Sequence, residues 1–184
     1  MRERMLAGDR YLADDPVLAE ENQRAMVLME AFNRSPAADP VERRRLLTEL
    51  LGSYGEGCEI RPPFYCDYGY QTTIGARTFA NFGLVVLDVA RVSIGEDVQI
   101  GPNVQLLTAT HPLEPRPRRD KWEAAHPIVI GDNVWLGGGV IVCPGVNIGD
   151  NTVVGAGSVV TKDLTSNVVA FGSPARVVRT IDED

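Results

Sequence analysis

Few residues in this chain of 184 could do chemistry, and they narrow the choice quickly. It holds two histidines, His111 and His126, and three cysteines, Cys58, Cys66 and Cys143. Two histidines cannot build a three-histidine zinc site, and the cysteines lack metal-binding spacing, so no metal is expected. No Gly-x-Ser-x-Gly elbow occurs, and no cysteine has a histidine beside it in sequence, so the sequence offers no covalent nucleophile. His111 stands in the run Thr108-Ala109-Thr110-His111-Pro112, directly before a segment rich in proline and charge. An imidazole held on a rigid strand under a mobile flap suits a general base taking a proton from a hydroxyl near neutral pH. The competing reading is a turn histidine bonded to backbone. His126, next to Pro127, reads as structural, and Cys66 as a small buried residue.

The elements that must position these groups announce themselves by a period. From Ile130 to Leu164 the sequence repeats every six residues, with an aliphatic residue at each first position (Ile130, Leu136, Val142, Ile148, Val154, Val160). Six matches neither a helix nor a sandwich strand; short fixed-period similarity marks a solenoid. The fifth positions, Val134, Val140, Val146, Thr152, Ser158 and Leu164, are small or medium and fill the space beside each aliphatic residue. Gly, Asn and Asp are expected at the corners, where they tolerate left-handed backbone angles. The register continues backwards through Ile100, Ile94, Val86, Ala80 and Ile74. Val92 and Ser93 read as a two-residue bulge, and Tyr68 to Thr73 as a weaker earlier hexad. Between His111 and Pro127 the pattern lapses, and this stretch is expected as a loop extruded from the solenoid.

The first fifty-odd residues obey another rule. Asp15-Pro16 starts a helix with Leu18, Ala25, Leu28, Met29 and Phe32 on one face, and Asp39-Pro40 starts a second that stops at Gly52. Glu20 and Arg24, four apart, are expected to pair. The divisions predicted are a helical segment 1–56, a β-helix 57–166 with the loop 111–127, and a tail 167–184. No apolar run is long enough for a membrane span and no signal peptide is evident, so a cytoplasmic protein with no membrane partner is expected. The net charge of -7 argues against nucleic acid. Cations cluster locally at Arg116, Arg118, Arg119 and Lys121, and again at Lys162, Arg176 and Arg179, which suits a small anionic ligand.

Taken together, the hexads, the segments Cys66-Asp67-Tyr68-Gly69-Tyr70 and Phe79-Ala80-Asn81-Phe82, the Thr-Ala-Thr-His-Pro run, Asn133-Val134-Trp135 and Val159-Val160-Thr161-Lys162-Asp163 resemble the maltose and galactoside O-acetyltransferases. That hexapeptide-repeat family includes the nodulation-factor acetyltransferases. The resemblance implies a left-handed parallel β-helix with three hexads per coil; roughly fourteen hexads then give four to five coils, about 20 to 25 Å tall at the usual strand spacing. It also implies a homotrimer with acetyl-CoA in the groove between prisms, and acetyl transfer to a sugar hydroxyl by direct attack with His111 as general base.

By the same resemblance Asp67, Asn81 and Asp88 surround the acceptor, with Asn81 also at the acetyl-transfer point. Asp88 would accept from substrate hydroxyls or orient the histidine, and the alternative is an acid capping a corner. Gly138 and Ala156 admit the pantetheine arm, and Thr161, Lys162, Arg176 and Arg179 reach the phosphates and adenosine. Trp135 should face outward and line the groove or pack between subunits. Two departures stand out: Asp67 occupies a position where galactoside enzymes carry serine, and Ala13, beside Asp14, occupies one where the family carries a sugar-contacting acid. The same fold could instead acetylate serine or an antibiotic hydroxyl, or serve as a non-catalytic scaffold.

Overall fold

The computed structural model describes residues 1–182. Each short strand bonds in parallel and in register to the strand one coil away, so first-position residues rise in columns. Tyr54, Ile74, Ile94, Ile130 and Ile148 form one column, and Ile60, Ala80, Ile100, Leu136, Val154 and Ala170 a second. Cys66, Val86, Leu106, Val142 and Val160 form the third. All but the half-buried Tyr54 lie in the core. The three faces carry five, seven and five strands and wind into a parallel β-helix of about six turns.

That is more than the four to five coils expected, for two reasons. The first coil is hidden because Tyr54 and Cys66 replace aliphatic residues; Cys66, not Tyr68, holds the first position and pairs with Val86. At the other end the step from Val160 shortens. Leu164 bridges to Ile148 and so takes a first position instead of the expected fifth. The ladder then runs past residue 166 into the strand Val168–Gly172, where Ala175–Thr180 folds back antiparallel along it. Nor are Val92 and Ser93 a bulge: both pair within the strand Val92–Ile94, and the added length lies at Asp88 to Arg91.

The corners divide their labour by position. Left-handed backbone falls at the fourth residue of the hexads, on Arg77, Asp97, Asn103, Asn133, Asn151 and Asn167 as well as on glycines such as Gly139. The second-position glycines have another cause. A Cβ on Gly75 would lie 2.5 Å from the backbone carbon of Gly95, and one on Gly95 2.7 Å from that of Gly131. Coils approach too closely there for any side chain.

Two helices plug the open end of the prism. Pro16–Arg34 is capped by Asp15, whose carboxylate accepts from the amides of Val17 and Leu18, and Pro40–Leu50 by Asp39. Their buried Met29, Phe32, Leu46, Leu47 and Leu50 join the solenoid core beneath Phe64. Asn33 seals the edge strand: its amide donates to the Phe64 carbonyl at 2.9 Å and its oxygen accepts from the Phe64 amide at 2.8 Å. Arg24 does not pair with Glu20 as expected; its guanidinium donates to the carbonyl of Glu49, where a helix end leaves an acceptor free.

The stretch 111–127 is not a simple loop either. It contains the helix Pro115–Arg119 and the strand Trp122–Ala125. That strand lies between Ala109–Thr110 and Tyr11–Leu12 in a small antiparallel sheet. The flap is therefore stitched to the N-terminus on one side and to the solenoid on the other. Among the described residues no helix is long and apolar enough to cross a membrane.

Replacing Gly95 with Ala should destabilise the protein by about 1–3 kcal/mol in urea denaturation, because backbone must move. Gly139→Asn, at a left-handed position with open space around it, should stay within about 0.5 kcal/mol of the parent.

Candidate functional site

Three successive coils carry extra length at the same corner, between the third face and the first: after Cys66, after Val86 and after Leu106. Parallel stacking therefore piles the three insertions on one another. Asp67, Asp88 and His111 all fall there.

Asp88 supports this corner from within. It is fully buried, and its Oδ1 accepts from the amides of Asp67 at 3.1 Å and Tyr68 at 2.9 Å. Its Oδ2 accepts from the Thr72 hydroxyl at 3.1 Å. Burial pushes its pKa up, although the amide donors favour the carboxylate. An acid so enclosed cannot also touch a substrate. The expectation that Asp88 binds the acceptor gives way to the corner-capping alternative, with Asp88 as a positioning residue for Asp67.

Asp67 is more available. Its backbone amide goes to Asp88 and its carbonyl accepts from the Asn22 side chain at 2.8 Å, leaving the carboxylate for a ligand. Burial first, then the charges of Asp88 and Glu123, raise its pKa to about 6.

His111 ends the strand Ala109–Thr110 and is exposed. Its Nδ1 lies 3.8 Å from Oε1 of Glu123. The other oxygen of Glu123 accepts from the buried Tyr11 hydroxyl at 2.6 Å. Burial and the neighbouring carboxylate push the Tyr11 pKa up, so the phenol keeps its proton for that bond. Sequence reasoning missed both Tyr11 and Glu123. The signal for Glu123 was a short run, Trp122 to Ala125, within a stretch read as loop. Tyr11 carried no local signal. His126 ties the corner through backbone alone, its amide to Thr108 and its carbonyl to Gly145, in keeping with the structural reading. Cys66 is buried against Met29, and burial pushes its thiol pKa up, so it is a packing residue.

The other expected residues lie elsewhere. Asn81, Gly138 and Ala156 follow the strands of the second face and line one groove of about 430 Å³, together with Phe79, Pro102 and Trp135. Trp135 is 55% exposed, facing outward as its sixth-position place requires. A Cβ on Gly138 would come within 3.3 Å of the Pro102 ring, so its absence widens the floor. The Asn81 oxygen accepts from the Phe82 amide at 2.8 Å, which leaves its NH2 group to donate. Thr161 and Lys162 stand exposed at the insertion corner, nearer the far end of the prism. Arg176 and Arg179 are exposed on the return strand Ala175–Thr180. Within one chain, then, the groove and the histidine occupy different corners. Among the described residues no group of three or more His, Cys, Asp or Glu could hold a metal ion.

Two tests follow from the corner. Asp88→Ala should cost about 2–4 kcal/mol, since buried amide and hydroxyl donors lose their acceptor, and should show in thermal unfolding. For Asp67, the folded pKa of about 6 exceeds the ordinary carboxylate value of 3.8, so the native state holds its proton more tightly than the unfolded chain. Stability from this group is present below about pH 4 and lost as pH rises through 6. The gain from Asp67→Asn in denaturant melts should therefore be small at pH 4 and close to complete by pH 7.

Comparison with known proteins agrees with this architecture along the whole chain. Residues 4–55 match the maltose acetyltransferase hexapeptide capping motif, and residues 127–162 match six bacterial transferase hexapeptide repeats. Galactoside O-acetyltransferase of Lactococcus lactis is 43% identical over 181 residues, covering 98% of this chain and 87% of that protein. The crystal structure of a maltose O-acetyltransferase from Clostridium difficile 630 superposes with a TM-score of 0.97 at 44% identity, covering 99% of this chain and 97% of that one. A galactoside acetyltransferase in complex with coenzyme A gives a TM-score of 0.95 at 42% identity, covering 99% and 91%. The repeats, the capping helices and these likenesses together place the chain in the maltose and galactoside O-acetyltransferase family of hexapeptide-repeat acetyltransferases.

Proposed function

We propose that this enzyme transfers the acetyl group of acetyl-CoA to a hydroxyl of a sugar or similar polyol, with His111 as general base. The observation that carries the reading is the setting of His111: exposed at a strand end, on the corner that also carries Asp67, with an anchored carboxylate facing its Nδ1. Nε2 takes the proton of the acceptor hydroxyl, whose oxygen attacks the thioester carbonyl directly. Collapse of the tetrahedral intermediate expels the coenzyme thiolate, which recovers the proton. No acyl-enzyme is needed, in keeping with a buried Cys66.

The coenzyme fits the groove. Gly138 and Ala156 leave room for a pantetheine arm, and Asn81 can donate to the thioester region. Thr161, Lys162, Arg176 and Arg179 would meet the phosphates, which an acidic protein must attract with local cations. Because groove and base occupy different corners of one prism, the reading includes a homotrimer, in which the groove of one subunit faces the histidine of the next. Exposed Phe82, Trp135 and Phe171 beside the groove, 52%, 55% and 54% accessible, suit burial between subunits. The neighbour carrying coenzyme A supports the donor, and the maltose and galactoside names support a sugar acceptor.

His111→Ala should lower turnover by about two to four orders of magnitude while acetyl-CoA binding and oligomeric state stay as in the parent. Thiol release measured with maltose, galactosides, serine and chloramphenicol as acceptors checks both base and acceptor class. Turnover near the parent value would overturn the base, and preference for serine or chloramphenicol would overturn the sugar.

A further inference from the structure

We propose that Glu123 is a positioning residue for His111, a role that rests on His111 being the base and that explains how one nitrogen is reserved for the acceptor. The small antiparallel sheet fixes the pair. Ala109 stands opposite Ala125 and Thr110 opposite Ala124, so the next step of the same register sets His111 opposite Glu123. On the far side of the middle strand, Glu123 stands opposite Tyr11. Three side chains, from the N-terminus, the flap and the solenoid, thus form one row: Tyr11, Glu123, His111.

The row has a direction. The Tyr11 hydroxyl is buried and donates to Oε2 at 2.6 Å. That bond pins the carboxylate by one oxygen and leaves Oε1 toward Nδ1 at 3.8 Å. This separation is too long for a hydrogen bond and is of the kind that tightens when substrate closes the site. A carboxylate at Nδ1 accepts a proton only from that nitrogen, so neutral His111 keeps its hydrogen on Nδ1 and presents a bare Nε2 to the acceptor hydroxyl. When Nε2 takes the proton, the same carboxylate stabilises the charge that forms on the ring. The hydrogen bond on one ring nitrogen decides what the other can do, as for oriented catalytic and metal-bound histidines.

Three variants test it: Glu123→Gln, Tyr11→Phe and His111→Ala. Glu123→Gln should lower kcat by roughly 10- to 100-fold, the usual loss when an orienting partner is removed, with KM for sugar and acetyl-CoA within about twofold. Tyr11→Phe should move kcat the same way by less. With only two histidines in the chain, 15N spectra at alkaline pH report the His111 tautomer in the free protein, assigned by its disappearance in His111→Ala. The Nδ1-H form should dominate in the parent and give way toward Nε2-H in Glu123→Gln. A raised sugar KM with an unchanged tautomer would instead make Glu123 a sugar contact, and would overturn the inference. So would parent-like kcat and tautomer in Glu123→Gln and Tyr11→Phe, even where His111→Ala is inactive. If His111→Ala itself turns over normally, the base reading falls first. A Glu123→Gln protein that fails to fold leaves Tyr11→Phe to decide by the same tautomer and kcat readings.

Discussion

Coil-on-coil contact at backbone distance is the constraint from which the rest of the molecule follows. Where Gly75, Gly95 and Gly131 stack, a single added carbon would meet the next coil's main chain. Adjacent strands must therefore run parallel and in register, and every first-position side chain points at the same narrow core. One consequence is that equivalent positions of successive coils form columns. Whatever happens after residue 86 happens directly above whatever happens after residue 66. The insertion corner is built this way: three irregular segments cannot drift apart, because the regular strands on both sides hold them in a stack.

The period of six was readable because it is enforced by burial, which acts on residue type. Ile130, Leu136 and Val142 advertise their place because nothing polar survives there. The first coil escaped notice because Tyr54 and Cys66 fill first positions without being aliphatic, and Leu164 misled because a shortened corner changed its place without changing its character. Glycine carried two messages in one letter. At second positions it records close approach, and at fourth positions a left-handed turn that asparagine, aspartate and even Arg77 also accept.

The candidate site was legible in proportion to its locality. His111 could be singled out from its neighbours in sequence. Glu123 could not, because its meaning comes from pairing across the small sheet, and Tyr11 lies 112 residues away from it. Asp88 was legible as important but not as buried. Its side chain could have pointed toward a ligand or into the corner, and the amides of Asp67 and Tyr68 decide for the corner. Charge patterning singled out Lys162, Arg176 and Arg179 as cations on an acidic chain, and all three are exposed.

The sealed ends of the prism have a meaning of their own. A parallel solenoid presents, at each end, a full set of strand edges whose hydrogen-bonding groups match those of another copy, and nothing in the repeat tells it to stop. Stacked end to end, such prisms would become a fibre. Asn33 engages both the amide and the carbonyl of Phe64 with a side chain, offering the edge a partner that cannot itself be extended. At the opposite end the return strand Ala175–Thr180 runs the wrong way for a parallel neighbour to continue the ladder. On these two edges one amide and one reversal of direction end a pattern that is otherwise open to endless growth.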